Sequence, residues 1–340
     1  MATSPESSET EIEQGPLRPP SEARSLLLRL VRNCPWNRCA FCPAYKGEPF
    51  SRRPQQEILA EIERLGANPE HAGKTSIFFQ DADALCLPVA DLESIIHHVK
   101  IRLPAINRIT AYARSQTLKN RTVEELKRLL EAGLNRIHVG LESGCDEVLR
   151  LVEKGVTAEI QREGCSHVKQ AGLELCCYYM PGLGGKALST KHSLDSAKLL
   201  TSICPDHIRL RTCVVIEETP LADLFASGAF IPLGEEETVR EIRSFVENLG
   251  DFPTQLISDH RINLLLELRG LIPADRSRLL GIIDRFLQLD PVEKTLFIVG
   301  RRKGLIRTLD ELNNPDRRAL VAAEVSHYSF PIPVPRSLLY

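Results

Sequence analysis

The chain has 340 residues, a formal net charge of −2 and a hydrophobic fraction of 43%, which is ordinary for a globular protein of one large domain or two smaller ones. The near-neutral charge argues against a nucleic acid or an anionic membrane as the main partner. The sequence contains no uninterrupted apolar run of the ~18 residues that a membrane span needs. Glu6, Glu9, Glu11 and Glu13 replace the basic start of a signal peptide, so a cytoplasmic location is expected.

The beginning of the chain differs in composition from the rest. Residues 1–23 contain four Ser, four Pro and five Glu but few large apolar residues. Such a segment buries too little apolar surface to offset the entropy lost on ordering. We therefore expect a disordered acidic leader over residues 1–23, with ordered structure beginning near Arg24.

From Arg24 onwards, apolar runs alternate with amphipathic stretches. Strands are predicted at 26–31, 76–79, 106–113, 136–141, 173–180 and 207–215, and helices at 54–65, 92–99, 122–132, 157–171 and 188–200. The helix at 122–132 begins with the capping box Thr122-Val-Glu-Glu125 and ends at Gly133. This alternation is typical of parallel βα units. It favours an α/β fold with a partial (β/α)6 barrel over residues 24–228, and a doubly wound sheet is the alternative.

The alternation stops near Pro220. Helices are predicted at 235–249 and 275–289, and a last strand at 295–299. The polar run 257–263 either caps a helix at 264–268 or reaches over the mouth of the barrel. Residues 229–340 are thus expected to form a mainly helical C-terminal extension.

Three of the ten cysteines, Cys34, Cys39 and Cys42, lie in one short loop directly after the first predicted strand. In a parallel α/β fold this loop lies at the carboxyl edge of the sheet, where active sites gather. Three thiolates on one loop can hold three irons of a [4Fe–4S] cluster and leave the fourth iron open. The alternative is a non-catalytic zinc site, for which a fourth ligand such as His71 or Cys86 would have to complete the tetrahedron.

Further motifs lie at the ends of the later predicted strands. They are Gln80-Asp-Ala-Asp83, Gly140-Leu-Glu142-Ser143-Gly144, Lys154-Gly155 and Tyr179-Met-Pro181-Gly182-Leu-Gly-Gly185. Together with the cysteine loop they resemble the motifs of the radical S-adenosylmethionine (SAM) superfamily, in the branch with methylthiotransferases, Elongator-type enzymes and coproporphyrinogen dehydrogenases. The chain departs from the commonest family pattern in two places. Four residues rather than three separate Cys34 from Cys39, and the two glycines that usually precede the acid at Asp83 are absent.

The resemblance implies a [4Fe–4S] cluster on the three cysteines and SAM bound at the open iron. Reductive cleavage of SAM would give a 5′-deoxyadenosyl radical that abstracts hydrogen from an unidentified substrate. The implied SAM contacts are Phe41 near the adenine, Asp83 at the ammonium group, Lys154 at the carboxylate, Glu142 and Ser143 facing SAM, and Pro181 and Gly182 in the adenine turn. An electron donor such as flavodoxin or ferredoxin is implied as a partner. An oxygen-independent coproporphyrinogen-dehydrogenase-like oxidoreductase is the alternative within the superfamily.

Five polar side chains are candidate substrate contacts, namely Tyr112, Arg114, Arg209, Arg211 and His260. The first two end the third predicted strand. Arg209 and Arg211 alternate with apolar residues, so both face one side of their strand. That side is either the barrel interior, where an anion would be bound, or the helix-covered exterior, where the side chains would extend to water. His260 has a ring that can transfer protons near neutral pH.

Overall fold

The computed structural model describes residues 17–329 and 332–335. Its strands are β1 (Leu26–Arg29), β2 (Val31–Arg32), β3 (Ser51–Arg52), β4 (Ser76–Gln80), β5 (Arg108–Tyr112), β6 (Leu134–Glu142), β7 (Glu174–Tyr179), β8 (His207–Leu210), β9 (Thr254–Ile257) and β10 (Arg269–Ile272). Its α-helices are α1 (Gln55–Ala67), α2 (Val89–Arg102), α3 (Ser115–Lys119), α4 (Val123–Ala132), α5 (Asp146–Leu151), α6 (Ala158–Gln170), α7 (Gly185–Ile203), α8 (Pro220–Ala226), α9 (Glu235–Asn248), α10 (Arg276–Gln288), α11 (Pro291–Arg302) and α12 (Pro315–Val325).

One eight-stranded sheet organises the chain, in the order β1-β4-β5-β6-β7-β8-β9-β10. Neighbouring strands from β1 to β9 are parallel, and β10 is antiparallel to β9. The first six strands of this order correspond to the six strands that the sequence predicts, which confirms the α/β partial barrel. The predicted extent of the sixth strand to residue 215 is wrong, because β8 ends at Leu210 and Arg211 follows it. The capping box at Thr122 is also present, because its hydroxyl accepts from the Glu125 amide and the Glu125 carboxylate accepts from the Thr122 amide.

Alternate residues of each strand face opposite sides of the sheet. On β7, Leu175, Cys177 and Tyr179 belong to the apolar core beneath the helices. Tyr178 faces the concave side instead, where its hydroxyl lies 3.3 Å from His138 Nδ1. Phe78, Tyr112 and His138 make edge-on ring contacts with one another on the same side. The concave side of the barrel is therefore lined with aromatic and polar groups.

The C-terminal extension adds two strands, β9 and β10, to the sheet. The sequence analysis does not predict strands at these residues. The prediction of a strand at 295–299 is wrong, because these residues lie inside α11, whose first turn is capped by the Asp290 carboxylate. A helix at 264–268 is also wrong, since these residues form a loop up to the start of β10. Arg301 of α11 donates to the carbonyls of Asn263 and Leu264, so a side chain binds carbonyls that a helix would use.

Glu22 corrects the predicted boundary of the leader. The first 16 residues of that leader lie outside the described residues, but residues 17–23 are described, and the Glu22 side chain is fully buried. Its carboxylate binds Arg108 at 2.7 and 3.0 Å and Ser25 at 2.7 Å. His138 Nε2 lies 3.3 Å from the same carboxylate. The segment before β1 therefore closes the amino end of the barrel interior.

The ionisation of this buried cluster is strongly shifted. Burial alone would raise the pKa of Glu22, but hydrogen bonds from His138, Arg108 and Ser25 outweigh it and hold the pKa far below its usual range. Burial lowers the pKa of His138 to about 4, so its ring is neutral at pH 7. Within the described part of the chain, no helix is both long enough and apolar enough to cross a bilayer.

Replacing Glu22 by Gln should lower the free energy of unfolding at pH 7 by about 3 kcal/mol, because Arg108 loses its buried anionic partner. The folded-state pKa of Glu22 lies below its unfolded value of about 4.3, so its stabilising effect is complete above that pH and is lost as the pH falls further. The difference between E22Q and wild type should therefore shrink below about pH 4.3.

Urea denaturation followed by circular dichroism measures this difference. The exposed Glu131 supplies a control, since Glu131→Gln should change the stability by no more than about 0.5 kcal/mol. An E22Q protein as stable as the control at pH 7 would show that the amino-terminal segment does not stabilise the barrel.

Candidate functional site

The cysteine loop is a closed structure at the carboxyl edge of the sheet. Strands β2 and β3 pair across its base, with Val31 opposite Arg52 and Arg32 opposite Ser51. Asn37, in the left-handed region with φ 47°, donates through its side-chain amide to the carbonyls of Tyr45 and Glu48. Asparagine adopts this conformation more readily than most residues. This turn lies within the Cys34–Cys39 spacing, which is one residue longer than the common family pattern.

The three thiols do not form a site for a single small ion. Around one zinc ion, with Zn–S bonds of about 2.3 Å, the sulfur atoms would lie about 4 Å apart. Only one group of metal-ligating side chains in the described residues has its ligand atoms within 4.8 Å of one another, and it is Cys145, Glu147 and Asp195. Cys34, Cys39 and Cys42 are therefore spread more widely than a zinc site requires, and a larger group such as a cluster fits them better.

One of the two proposed fourth zinc ligands lies away from the cysteine loop. His71 precedes β4, at the amino edge of the sheet, and its Nδ1 lies 3.0 Å from the Leu65 carbonyl. Cys86 follows β4 at the carboxyl edge, and burial raises the pKa of its thiol to about 11, with the nearby Asp83 adding to the effect. The position of His71 gives no support to the zinc alternative.

Two cations, Lys154 and Arg211, favour the negatively charged thiolate form of the cysteines in the loop. Burial raises the pKa of Cys39 to about 11, and the positive charge of Lys154 opposes this shift. Burial also raises the pKa of Cys42, against the influence of the Ala44 amide and of Arg211. Since metal ligation needs thiolates, loading this site would release protons, and Lys154 and Arg211 favour that deprotonation.

Glu142 has an unusual position at the end of β6. It adopts φ 65° where the register with β7 shifts, and its carbonyl accepts from the Met180 amide at 3.0 Å. One carboxylate oxygen, Oε1, lies 3.3 Å from Lys154 Nζ, whereas the buried Oε2 has no partner among the residues that the structure describes. A Cβ atom on Gly140 would lie 2.3 Å from Glu142 Oε1, so only glycine leaves room for this side chain. The unpartnered Oε2 is an acceptor available to a ligand.

The Ser143 side chain makes hydrogen bonds within the fold, and the expectation that this residue faces SAM stays a prediction. Its hydroxyl is buried, lies 2.8 Å from His192 Nδ1 and accepts from the Cys145 amide. A Cβ on Gly144 would lie 2.4 Å from the Asp195 carbonyl oxygen, so this glycine allows close packing on α7. The Ser-Gly pair of the motif therefore fixes the end of β6 against α7.

Asp83 also stabilises the fold. Its side chain is buried, and its two oxygens accept from the Arg114 amide at 3.2 Å and from the Thr117 hydroxyl at 2.5 Å. Burial raises its pKa to about 6, although these hydrogen bonds oppose the shift. The carboxylate thus stabilises the start of α3, and its contact with the SAM ammonium group stays a prediction.

Trp36 connects the cysteine loop to the segment that carries Lys154. Its indole donates to the Glu153 carbonyl at 2.7 Å, and Gly155, with φ 75°, packs against its ring. The guanidinium groups of Arg38 and Arg114 lie 5.3 and 5.4 Å from the ring centroid. Arg114 thus lies at the rim of the site but is stacked on the indole.

The Lys154 side chain lies between the cysteine loop and Glu142. Its Nζ is 5.7 Å from the centroid of the Phe41 ring. Burial alone would lower its pKa, but the charges of Glu142 and Cys39 outweigh this and raise it. Lys154 is therefore a stable cation next to the predicted adenine contact, Phe41.

Glu241 of α9 is a functional residue that the sequence analysis missed. Its buried carboxylate accepts from the Gly182 amide at 2.7 Å, the Tyr179 hydroxyl at 3.2 Å and the Ser189 hydroxyl at 2.5 Å. The Pro181 carbonyl accepts from the Cys213 amide at 2.8 Å, and Gly182 adopts φ 86°. The Pro-Gly turn is thus shaped from the extension. An acid within the apolar face of α9 was the available signal.

The remaining candidates lie at the concave side of the sheet. Arg209 therefore faces the barrel interior and not the helix-covered exterior. Arg209 is buried there and makes hydrogen bonds of 2.8 and 2.6 Å to the Asp259 carboxylate. Burial raises the pKa of Tyr112, and the nearby charge of Arg211 opposes this. Asn263 binds the Thr212 amide and the Leu210 carbonyl, which anchors the loop with His260 to the end of β8. The charges of Arg209 and Arg211 act on Tyr112, and that of Arg211 also acts on His260, so these four side chains lie near one another.

Replacing Gly155 by Ala should displace Trp36, because the new Cβ would lie 2.3 Å from the indole ring and φ 75° disfavours side chains. Trp36 is the single tryptophan of the chain, so its fluorescence reports on this loop alone. We expect emission shifted to longer wavelength in cluster-free G155A. Gly73→Ala is the control, since nothing lies within 4 Å of its Cβ position. Identical spectra for both variants would contradict the described packing.

Known proteins share parts of this sequence. Residues 28–196 match the model of the Radical SAM superfamily. A tRNA uridine(34) acetyltransferase from Methanocaldococcus infernus is 24% identical over 257 residues, covering 64% of this chain and 47% of that protein. A tRNA-2-methylthio-N(6)-dimethylallyladenosine synthase from Alkalilimnicola ehrlichii is 25% identical, covering 50% of this chain and 39% of that protein.

The fold has solved counterparts as well. Coproporphyrinogen III oxidase from Escherichia coli, described as a radical SAM enzyme, aligns with a TM-score of 0.50 and 17% identity, over 68% of this chain and 55% of that one. The chain spans half or less of the length of the two curated relatives. The chain belongs to the radical SAM superfamily, whose members are enzymes that use a [4Fe–4S] cluster and SAM.

Proposed function

We propose that Cys34, Cys39 and Cys42 ligate the [4Fe–4S] cluster and that SAM binds at its open iron. The observation that carries this proposal is the convergence of three widely spaced thiols, the Lys154 cation and the unpartnered Glu142 Oε2 at one sheet edge. When bound, the reduced cluster supplies one electron that cleaves SAM to methionine and a 5′-deoxyadenosyl radical, which takes a hydrogen atom from the substrate.

The residues of the chain position SAM in this proposal. Lys154 pairs with the SAM carboxylate while it stays bound to Glu142 Oε1. Glu142 Oε2 accepts from a ribose hydroxyl, which removes the cost of leaving a buried oxygen without a partner. Phe41 packs against the adenine, and the Pro181-Gly182 turn binds its edge. Tyr112 and the aromatic groups beneath it exclude water from the barrel interior.

The first substrate to test is a tRNA nucleotide, because two of the relatives are named as tRNA-modifying enzymes. The likeness to coproporphyrinogen III oxidase shows the fold alone and does not favour a porphyrin substrate. Arg38 and Lys46 lie on the outer side of the cysteine loop and offer a basic face to an acidic electron donor of the flavodoxin or ferredoxin class. A cytoplasmic location is part of the same proposal.

The reaction is tested by anaerobic reconstitution with iron and sulfide, followed by dithionite and SAM and an assay for 5′-deoxyadenosine. Wild type should bind about four irons per chain and form the product. Cys39→Ala should lose the product, whereas Cys204→Ala should not, since Cys204 is exposed at the end of α7. A colourless wild-type protein that holds zinc and leaves SAM intact would refute the proposal.

Replacing Glu241 by Ala should weaken SAM binding by about tenfold or more, because the Gly182 amide and the Tyr179 hydroxyl lose a charged acceptor. Equilibrium dialysis of reconstituted protein with labelled SAM measures the affinity. Glu236→Ala on the exposed side of α9 is the control, since its carboxylate binds only Arg240 and Lys294. An unchanged affinity in E241A would mean that the turn does not depend on this contact.

A further inference from the structure

Arg211 lacks the partners that three neighbouring cations have. Arg209 pairs with Asp259, Lys154 pairs with Glu142, and Arg114 is stacked on Trp36. Arg211 is exposed, and in the described ranges its guanidinium has neither an ion pair nor a hydrogen bond. An arginine fork carries five N–H donors and fits carboxylate or phosphate groups in a two-point contact. Arg211 is thus an unused anion receptor of the site, as is the exposed Arg261 next to His260.

The surroundings of Arg211 place it at the carboxyl end of the sheet, near the cysteine loop. Its backbone amide donates to the Tyr179 carbonyl at 3.0 Å, at the carboxyl end of the sheet. Its charge lies close enough to Cys42 and Tyr112 to favour the ionised form of both. A group bound to Arg211 would therefore lie near both Cys42 and Tyr112.

His260 completes this corner from the C-terminal extension. Its Nδ1 accepts from the Ile262 amide at 3.4 Å, which leaves the proton of the neutral ring on Nε2 as a donor. Burial lowers the pKa of His260 to about 3, and the charges of Arg211 and Arg261 add to the effect. The ring is therefore an uncharged donor beside a permanent cation.

The loop that carries His260 is rigidly attached on both sides. Asn263 Nδ2 donates to the Leu210 carbonyl at 2.8 Å and to the Ser258 hydroxyl at 3.0 Å. Behind the loop, Arg301 donates to the Asn263 carbonyl, and Arg302 donates to the Ile262 carbonyl at 2.6 Å. Two arginines of α11 thus fix the loop from the outside, and none of these bonds uses His260 Nε2 or Arg211. A binding corner fixed in this way is preorganised for a ligand.

We propose that Arg211, His260 and the Tyr112 hydroxyl form a subsite for an anionic group of the substrate, either a phosphate or a carboxylate. That the bound anion belongs to a substrate rests on the proposed function, whereas binding of an anion at this subsite does not. The subsite anchors one end of the substrate on the β8 side, so that another part of it faces SAM on the cysteine-loop side. Arg211 and His260 lie outside the segment that matches the superfamily, residues 28–196, whereas Tyr112 lies inside it.

Arginine-specific labelling tests the subsite without knowledge of the substrate. Reconstituted full-length protein is treated with phenylglyoxal, and the labelling rate of each arginine is followed by peptide mass spectrometry. The probes are inorganic phosphate, uridine 5′-monophosphate, succinate and SAM, each added alone. At a concentration of about ten times Kd, a bound anion should slow the labelling of Arg211 about tenfold. Arg24, exposed before β1, is the internal control and should label at the same rate throughout.

The pattern of protection identifies the source of the anion. Protection by phosphate and uridine 5′-monophosphate supports a phosphorylated substrate, and protection by succinate supports a carboxylate. His260→Phe should weaken binding of the protecting anion about tenfold, since it removes one donor to a charged group. Unprotected Arg211 with every probe would overturn the proposal, and so would protection by SAM alone, which would assign Arg211 to SAM binding. If Arg211 is protected by phosphate or succinate but the wild type forms no 5′-deoxyadenosine, the proposed reaction fails and the anion site stands.

Discussion

The ion pair between Lys154 and Glu142 connects every part of the candidate site. Lys154 lies over Phe41 and beside Cys39, so it joins the pair to the cysteine loop. The Glu142 carbonyl holds the Met180 amide and thus the start of the Pro-Gly turn. The next residue, Gly155, packs on Trp36. A pair this deeply placed stabilises the fold little, because desolvation offsets the attraction between the charges, and its main effect is to fix geometry.

The C-terminal extension is part of the site and not an appendage. Helix α9 supplies Glu241 beneath the Pro-Gly turn, and β9 continues the parallel sheet. The loop after β9 supplies Asp259 and His260 to the concave side. The open partial barrel thus receives one wall from residues beyond the superfamily match. Variation in such a wall changes the substrate while the cofactor chemistry stays the same.

Much of this arrangement can be predicted from the sequence, because its signals are local. The six barrel strands follow from short apolar runs between amphipathic helices, and the cysteine loop follows from its spacing. Glycines such as Gly140 and Gly182 mark positions where a side chain would clash or the backbone is left-handed. The sequence alone therefore indicates where such glycines of the motifs lie in the fold.

The parts that escaped prediction depend on contacts between distant segments. Strands β9 and β10 have four residues each and gain stability only from pairing with each other and with β8. Asp83 and Ser143 match a motif, yet Thr117 and His192 determine where their side chains point. The burial of Glu22 required a partner 86 positions away, Arg108. Composition alone described its segment as a polar leader.

The most direct test of the account is electron–nuclear double resonance of the reduced cluster with SAM labelled with 15N in the amino group and 17O in the carboxylate. If Cys34, Cys39 and Cys42 leave one iron open, both labels should show hyperfine coupling to the cluster, because the two groups would bind that iron. A reduced [4Fe–4S] cluster whose spectrum shows no coupling to either label would contradict the account, since the fourth iron would then be closed to SAM.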